Sequence, residues 1–242
     1  MLNRINTHLL PQLLDPQTLG GSTVVVIDVL RASTTIISAL AAGASSVRPC
    51  REVSEALRIA DQLEPPVVLG GERNGVPITG FHLGNSPSEY TREVVGGRNI
   101  VFTTTNGTLA MESCRIADRV LVGAFANQSA IVEFLATQTQ VDLVCAGTHG
   151  EVTREDVLFA GAVVARLSRS KTIMNDASRL AWHAWSHLES APPEMLTQAL
   201  ADSQGGRNLV KIGHVADIAY AAQVDTTNLL PELDVRNWQI HR

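Results

Sequence analysis

VVVIDVLRASTT, residues 24 to 35, decides the fold. Its opening run is apolar at every position, so both faces of the strand it forms must be covered, as in a parallel sheet flanked by helices. The run ends at Asp28; Arg31 follows, and Ser33, Thr34 and Thr35 crowd the start of a helical stretch. An acid, a base and three hydroxyls at the mouth of a buried strand call for a reason.

The same grammar repeats outward from this stretch. Val24 to Val29, Val67 to Leu69, Ile100 to Thr103, Val120 to Val122 and Val141 to Cys145 read as buried strands. Thr34 to Ala42, Val53 to Leu63, Gly107 to Ala117 and Phe125 to Thr137 read as the helices between them. That alternation predicts an α/β fold with helices on both faces of a mostly parallel sheet. Beyond about residue 151 the pattern turns helical, with breaks at Pro192-Pro193 and Gly205-Gly206 and a strand returning near Leu233 to Val235. No repeat, low-complexity tract or flexible linker interrupts the chain. The expectation is one domain over residues 1–242, with a βαβ region over about 22–150 and a helix-rich part over about 151–242.

Composition narrows the class. A net charge of -5 leaves no basic excess for nucleic acid or an anionic membrane, although a small anion can still be held by local groups. Cys50, Cys114 and Cys145 lack any paired spacing, which argues against disulfides or structural zinc. The leading segment MLNRINTHLLPQLLDPQ is too interrupted for a signal peptide, and no window nears the roughly 18 apolar residues of a membrane span. A soluble, cytoplasmic protein is expected, with a homodimer as one possible state.

Ligands of open parallel sheets bind beyond the carboxyl ends of the strands, so the polar residues there matter most. Asp28 and Arg31 follow the first strand, and Gly70 to Gly75, with Glu72 and Arg73, follow another. Asn85 or Ser86 is placed to cap a helix whose first turn takes Pro87 and Glu89. TTTNGT, residues 103 to 108, offers Thr104, Thr105, Asn106 and Thr108 as donors at a helix start, which suits a phosphate; a well-capped ordinary turn has the same appearance. Asp28, Glu72, Glu155 and Asp156 together could supply hard oxygen ligands for Mg2+, although Asp28 could simply cap a helix and the acids at 155 and 156 suit the positive end of a helix dipole. His149, between Gly147 and Gly150, is the one histidine at a strand end. Cys145 is either a small apolar filler or a nucleophile.

Familiar phosphatase patterns fail. An aspartyl nucleophile wants a second Asp where Leu30 stands, a cysteine phosphatase wants an arginine where Glu151 stands, and Thr148-His149-Gly150 lacks the arginine of a phosphohistidine signature. A metal-activated water, with Arg31 or Arg73 neutralising charge as it builds, fits better.

Taken together, VVVIDVLRASTTI, GGERNGVPITGFHLGNSPSEY, TTTNGT, CAGTHGEVTREDVLFAG and GGRNLVKIG closely resemble the 2-phosphosulfolactate phosphatase family, in order from about residue 22 to the C-terminus. The resemblance implies a three-layer α/β/α sandwich and magnesium-dependent hydrolysis of (2R)-phospho-3-sulfolactate to sulfolactate and phosphate, a step associated with coenzyme M biosynthesis. It points to Asp28, Arg31, Glu72, Arg73 and Cys145 for catalysis and to Asn85, Ser86, Thr105, Asn106 and Gly107 for substrate, beside Thr104 and Thr108; Asp28, Glu155 and Asp156 are the expected metal ligands. Ser33 stands where the family favours Thr, and His82 stands where it often has an acid. If that acid ligates metal or acts as base, activity is in doubt; if it only braces the loop, His82 can replace it. Three rivals stay open: a phosphatase of another 2-phospho acid, a non-catalytic anion-binding domain, and a cysteine hydrolase built on Cys145 and His149.

Overall fold

The computed structural model describes residues 3–73 and 75–242. Its strands are β1 (Arg4–His8), β2 (Thr23–Ile27), β3 (Ser46–Cys50), β4 (Val67–Arg73), β5 (Val76–Pro77), β6 (Asn99–Thr103), β7 (Arg119–Gly123), β8 (Gln140–Cys145), β9 (Thr172–Ile173), β10 (Glu232–Asp234) and β11 (Gln239–His241). Its helices are α1 (Ala32–Ala41), α2 (Val53–Ala60), α3 (Arg92–Val95), α4 (Asn106–Glu112), α5 (Gln128–Ala136), α6 (Arg154–Leu167), α7 (Asp176–Ser186), α8 (Pro193–Ala201), α9 (Gln204–Lys211) and α10 (Val215–Ala221).

All five residues of β2 are buried, as its unbroken apolar run requires. Successive side chains of a strand point to opposite faces, and here they enter two different cores. Val25 and Ile27 pack with Leu143 and Phe159. Val24 and Val26 pack with Ile36, Leu40 and Val122 on the other side. The fold is therefore α/β with the sheet sandwiched between two helical layers. Full burial of a Val or Ile side chain contributes about 1.5–3 kcal/mol, so the strand is held firmly and the turn at its end has a rigid base.

The strand order is β5-β4-β6-β3-β11-β10-β7-β2-β8-β1-β9. The late strand expected near Leu233 is the first arm of a hairpin inserted in the middle of the sheet, antiparallel to β7 on one side and to β3 on the other. Three antiparallel steps lie between β7 and β3, so the two parallel blocks, β7-β2-β8-β1 and β3-β6-β4, run in opposite senses. The segment before Ser22, which looks like an ordinary leading stretch in the sequence, supplies β1, parallel to β8 along its whole length. Among the described residues no helix is long and apolar enough to cross a membrane.

Candidate active site

The turn after β2 explains the three hydroxyls. Ser33 Oγ accepts from the Asp28 N–H at 2.9 Å, Thr34 Oγ1 donates to the Val29 carbonyl at 2.8 Å, and Thr35 Oγ1 donates to the Asn85 carbonyl at 3.0 Å. All three are buried. Side chains that serve the loop's own backbone groups hold its shape, so these hydroxyls build the loop that carries Asp28 and Arg31, and they pin the Asn85 loop to it.

Beyond this turn lies a cavity of about 400 Å³. Asp28, Leu30 and Arg31 line it after β2, Glu72 and Gly75 beside β4, Thr104, Thr105 and Asn106 after β6, and Thr148 and His149 after β8. Carboxyl ends from both blocks of the sheet thus meet at one place, despite their opposite directions. Asn85 joins them, and α9 closes another side with Gln204, Gly205, Asn208, Leu209 and Lys211. Gly107 lets α4 come close, since a Cβ there would stand 3.0 Å from Asp28 Oδ2.

The three acids near this turn differ in how well they are partnered. Burial pushes the Asp28 carboxyl up to about 7; the Ala32 N–H opposes this, while the charges of Glu72 and Glu155 add to it. One hydrogen bond, from Ala32 N to Oδ1 at 3.2 Å, is all its side chain accepts among the described residues. Glu155 is raised chiefly by burial as well, against hydrogen bonds from its own and the Gly205 N–H and from the Ser203 and Thr153 side chains; its Oε2 is buried with no hydrogen-bond partner among the described residues, and it does not line the cavity. It packs behind Gly205, where any Cβ would come within 2.1 Å of Glu155 Oε1. Asp156 is raised well above the usual range by burial and by its neighbours Glu155 and Asp28. Both of its oxygens are in use, however: Val29 N donates to Oδ1 at 2.8 Å and Gly147 N to Oδ2 at 3.0 Å. Asp156 ties the β2 and β8 loops together and does not line the cavity.

Among the described residues no three acids, histidines or cysteines converge on one point. Mg2+ does not need three, because it is commonly held by one or two carboxylates, waters and substrate phosphate. Asp28 Oδ2, Glu155 Oε2 and the buried Asn85 Oδ1, which has no hydrogen-bond partner among the described residues, are hard oxygen donors of the type it takes. Asp28 and Asn85 on the cavity lining, with Glu155 behind Gly205, make a donor set whose chemistry suits such a cation.

Arg31 reaches the cavity from a buried anchor. Its Nη1 donates to Asp217 Oδ2 at 2.6 Å and its Nη2 to the Gly75 carbonyl at 3.3 Å, and Arg31 and Asp217 are 5% and 3% exposed. Asp217, on α10, also accepts from Ser86 Oγ at 2.6 Å, and His214 Nδ1 lies 3.4 Å away. Ser86 is therefore neither a helix cap nor a cavity residue: it braces Asp217, and Pro87–Glu89 is a short 3-10 turn.

Other sequence-selected residues turn away. Arg73 donates to the Glu72 carbonyl at 3.0 Å and to the Arg51 carbonyl, outside the cavity. Thr108 Oγ1 donates to the Cys50 carbonyl at 3.3 Å. Cys145 is fully buried in β8, and burial with the charges of Asp156 and Glu155 holds its thiol well above its ordinary value. A thiol kept protonated and off the cavity lining is a poor nucleophile. His82 is also off the cavity; its Nδ1 accepts from Leu69 N at 2.9 Å, which a carboxylate in its place could do equally. The unusual histidine braces the loop.

Asp217, Gln204, Asn208 and Lys211 were not signalled by the sequence as cavity or anchor residues, although GGRNLVKIG contains two of them, Asn208 and Lys211, on one helix face. His149 lines the cavity with φ of 53°, a left-handed backbone that non-glycine residues rarely adopt.

Residues 8–235 match the family model described as 2-phosphosulpholactate phosphatase. A Thermotoga petrophila protein named probable 2-phosphosulfolactate phosphatase is 40% identical over 211 residues, covering 87% of this chain and 88% of that protein. One of the same name from Symbiobacterium thermophilum is 41% identical over 217 residues, covering 88% and 91%. A third, from Caldicellulosiruptor saccharolyticus, is 35% identical over 222 residues, covering 88% and 90%.

Proposed function

The chain belongs to the 2-phosphosulfolactate phosphatase family and is a phosphatase, and from that premise we propose that it hydrolyses (2R)-phospho-3-sulfolactate with Mg2+, as in coenzyme M biosynthesis. The observation that carries the reading is the convergence of Asp28, Arg31, Asn85 and Thr104 to Asn106 on one cavity, next to carboxylates that burial leaves short of partners.

In this reading Asp28 Oδ2 and Glu155 Oε2 would hold the cation, which when bound would supply positive charge for the phosphoryl oxygens and ease deprotonation of the attacking water. The remaining steps belong to the chain. Arg31 spends two of its donors on Asp217 and Gly75 and keeps the rest of its fork for phosphate, pre-aligned by a buried partner. The first turn of α4 has no side-chain cap, so its N–H groups and the Thr104 and Thr105 hydroxyls are free to donate to phosphate oxygens. Water oxygen bonds to phosphorus as the bond to the substrate's C2 oxygen breaks, and that oxygen takes a proton to become the hydroxyl of sulfolactate. Unaided phosphate monoester hydrolysis is so slow that the site must lower the barrier by on the order of 20 kcal/mol. Preorganised donors and a cation acting together can supply that.

The test is phosphate release from (2R)-phospho-3-sulfolactate, 2-phospholactate and 2-phosphoglycolate, with Mg2+ and with chelator. Mg2+-dependent release with the sulfonated substrate fastest supports the reading. Faster release from another 2-phospho acid reassigns the substrate, and release from none of them leaves an anion-binding domain.

A further inference from the structure

We propose that Asn208 and Lys211, on the face of α9 that closes the cavity, form the subsite for the sulfonate and so set the enzyme's preference for a sulfonated substrate; the proposal rests on the phosphatase reading above. Gln204, Asn208 and Lys211 lie at helical spacing along one face and all line the cavity. Their hydrogen bonds fix which way the amides point. Arg207 can only donate, and its Nη2 lies 2.7 Å from Gln204 Oε1. Gln204 Nε2 in turn donates to Asn208 Oδ1 at 3.1 Å. The amide left over at the end of this relay is Asn208 Nδ2, a donor. Lys211 follows along the same face, exposed, with an ammonium that forms no ion pair among the described residues. This wall offers N–H groups with no carboxylate between them.

Chemistry chooses the occupant. The substrate carries its carboxylate directly on the carbon that bears the phosphate ester, so that group stays beside the phosphate. The sulfonate sits one bond further out, is ionised at any ordinary pH and has three acceptor oxygens. Placed near Asp28 or Glu72 it would be repelled. Asn208 Nδ2 and Lys211 Nζ give it two donors on one wall of the cavity.

The experiment compares kcat/KM for (2R)-phospho-3-sulfolactate and 2-phospholactate in wild type, Asn208→Asp, Lys211→Gln and Lys211→Arg. Asn208→Asp keeps an oxygen for Gln204 and loses the donor; neither side chain is buried, so folding is spared. Loss of a charge-assisted hydrogen bond corresponds to roughly 10- to 100-fold. The ratio of the two kcat/KM values should fall by about that factor in Asn208→Asp and by about 10-fold in Lys211→Gln, and Lys211→Arg should restore it to within about threefold. Release from both substrates with the ratio unmoved in every variant overturns the subsite alone. Release from neither by wild type overturns the phosphatase reading and the subsite with it.

Discussion

Asp142 and Asp28 are buried aspartates of neighbouring strands, and they meet opposite fates. Asp142, in β8, accepts from His8 Nε2 at 2.8 Å, Ser22 Oγ at 2.5 Å and Asn6 Nδ2 at 3.2 Å. Burial pushes its carboxyl upward, but those donors together outweigh it and hold the pKa below the usual value. Asp28, at the end of β2, has one N–H and two nearby acids, and its pKa is pushed up to about 7. A buried carboxylate with a full set of donors is finished structure. One left short of donors beside a cavity is waiting for a ligand, because burial without pairing costs stability that some other use must justify.

The sharpest way to break this contrast is Asp28→Asn. Its kcat/KM should fall at least about 10³-fold, the scale of losing an essential charge at a phosphoryl-transfer site, while Tm stays level or rises because an unpaired buried charge is gone. Near-normal turnover would remove Asp28 from the mechanism. Arg31→Ala should cost about 10²-fold, raising KM and lowering kcat together, since its charge acts on both bound substrate and transition state. It should also destabilise the fold by about 3–5 kcal/mol, because Asp217 is left buried without its partner.

Asp142→Ala probes the finished cluster. Leaving His8, Ser22 and Asn6 without their acceptor should cost about 2–4 kcal/mol in urea unfolding, with kcat/KM of the folded protein changed less than about twofold.

The two aspartates should also titrate with opposite signs. Asp142, with a depressed folded pKa, contributes stability above its unfolded pKa that is lost as pH falls through the folded one. Asp28, with a raised folded pKa, binds its proton more tightly when folded, so without cation its contribution is full below its ordinary value of 3.8 and is lost as pH rises through about 7. A Mg2+ ion held by Asp28 would have to displace that proton, so thermal stabilisation by Mg2+ should be larger at pH 8 than at pH 6, and the difference should disappear in Asp28→Asn. The smallest effect is reserved for His82→Asp, whose carboxylate can accept the Leu69 N–H; kcat/KM should change less than about threefold.

The contrast also marks how far the sequence could be read. Buried strands such as β2 announce themselves by unbroken apolar runs, and the loops after β2 and β6 by hydroxyls and glycine. β1, with its sequence RINTH, carries no such run; alternate residues are only partly buried, and its polar side chains serve Asp142 and the Ser178 hydroxyl of α7. Strand ends locate a site without telling which side chains face it. Glu72 and Arg73 are adjacent, yet period-two alternation sends one to the cavity and the other to the Arg51 carbonyl. Glu155 and Asp156, neighbours on α6, also differ: Glu155 keeps one oxygen without a partner among the described residues, and Asp156 spends both on backbone donors. Asp217 was illegible because a helical aspartate looks like any solvated one until Arg31 and Ser86 are seen against it. Lys211 was illegible because its partner is the cavity itself.

The most direct test of this account is a crystal of the protein soaked in Mn2+, a stand-in for Mg2+ whose anomalous signal locates it. The account predicts a peak at the cavity bonded to the carboxylates of Asp28 and Glu155, lost in Asp28→Asn crystals. Mn2+ bound elsewhere, in a protein that still releases phosphate in its presence, would contradict it.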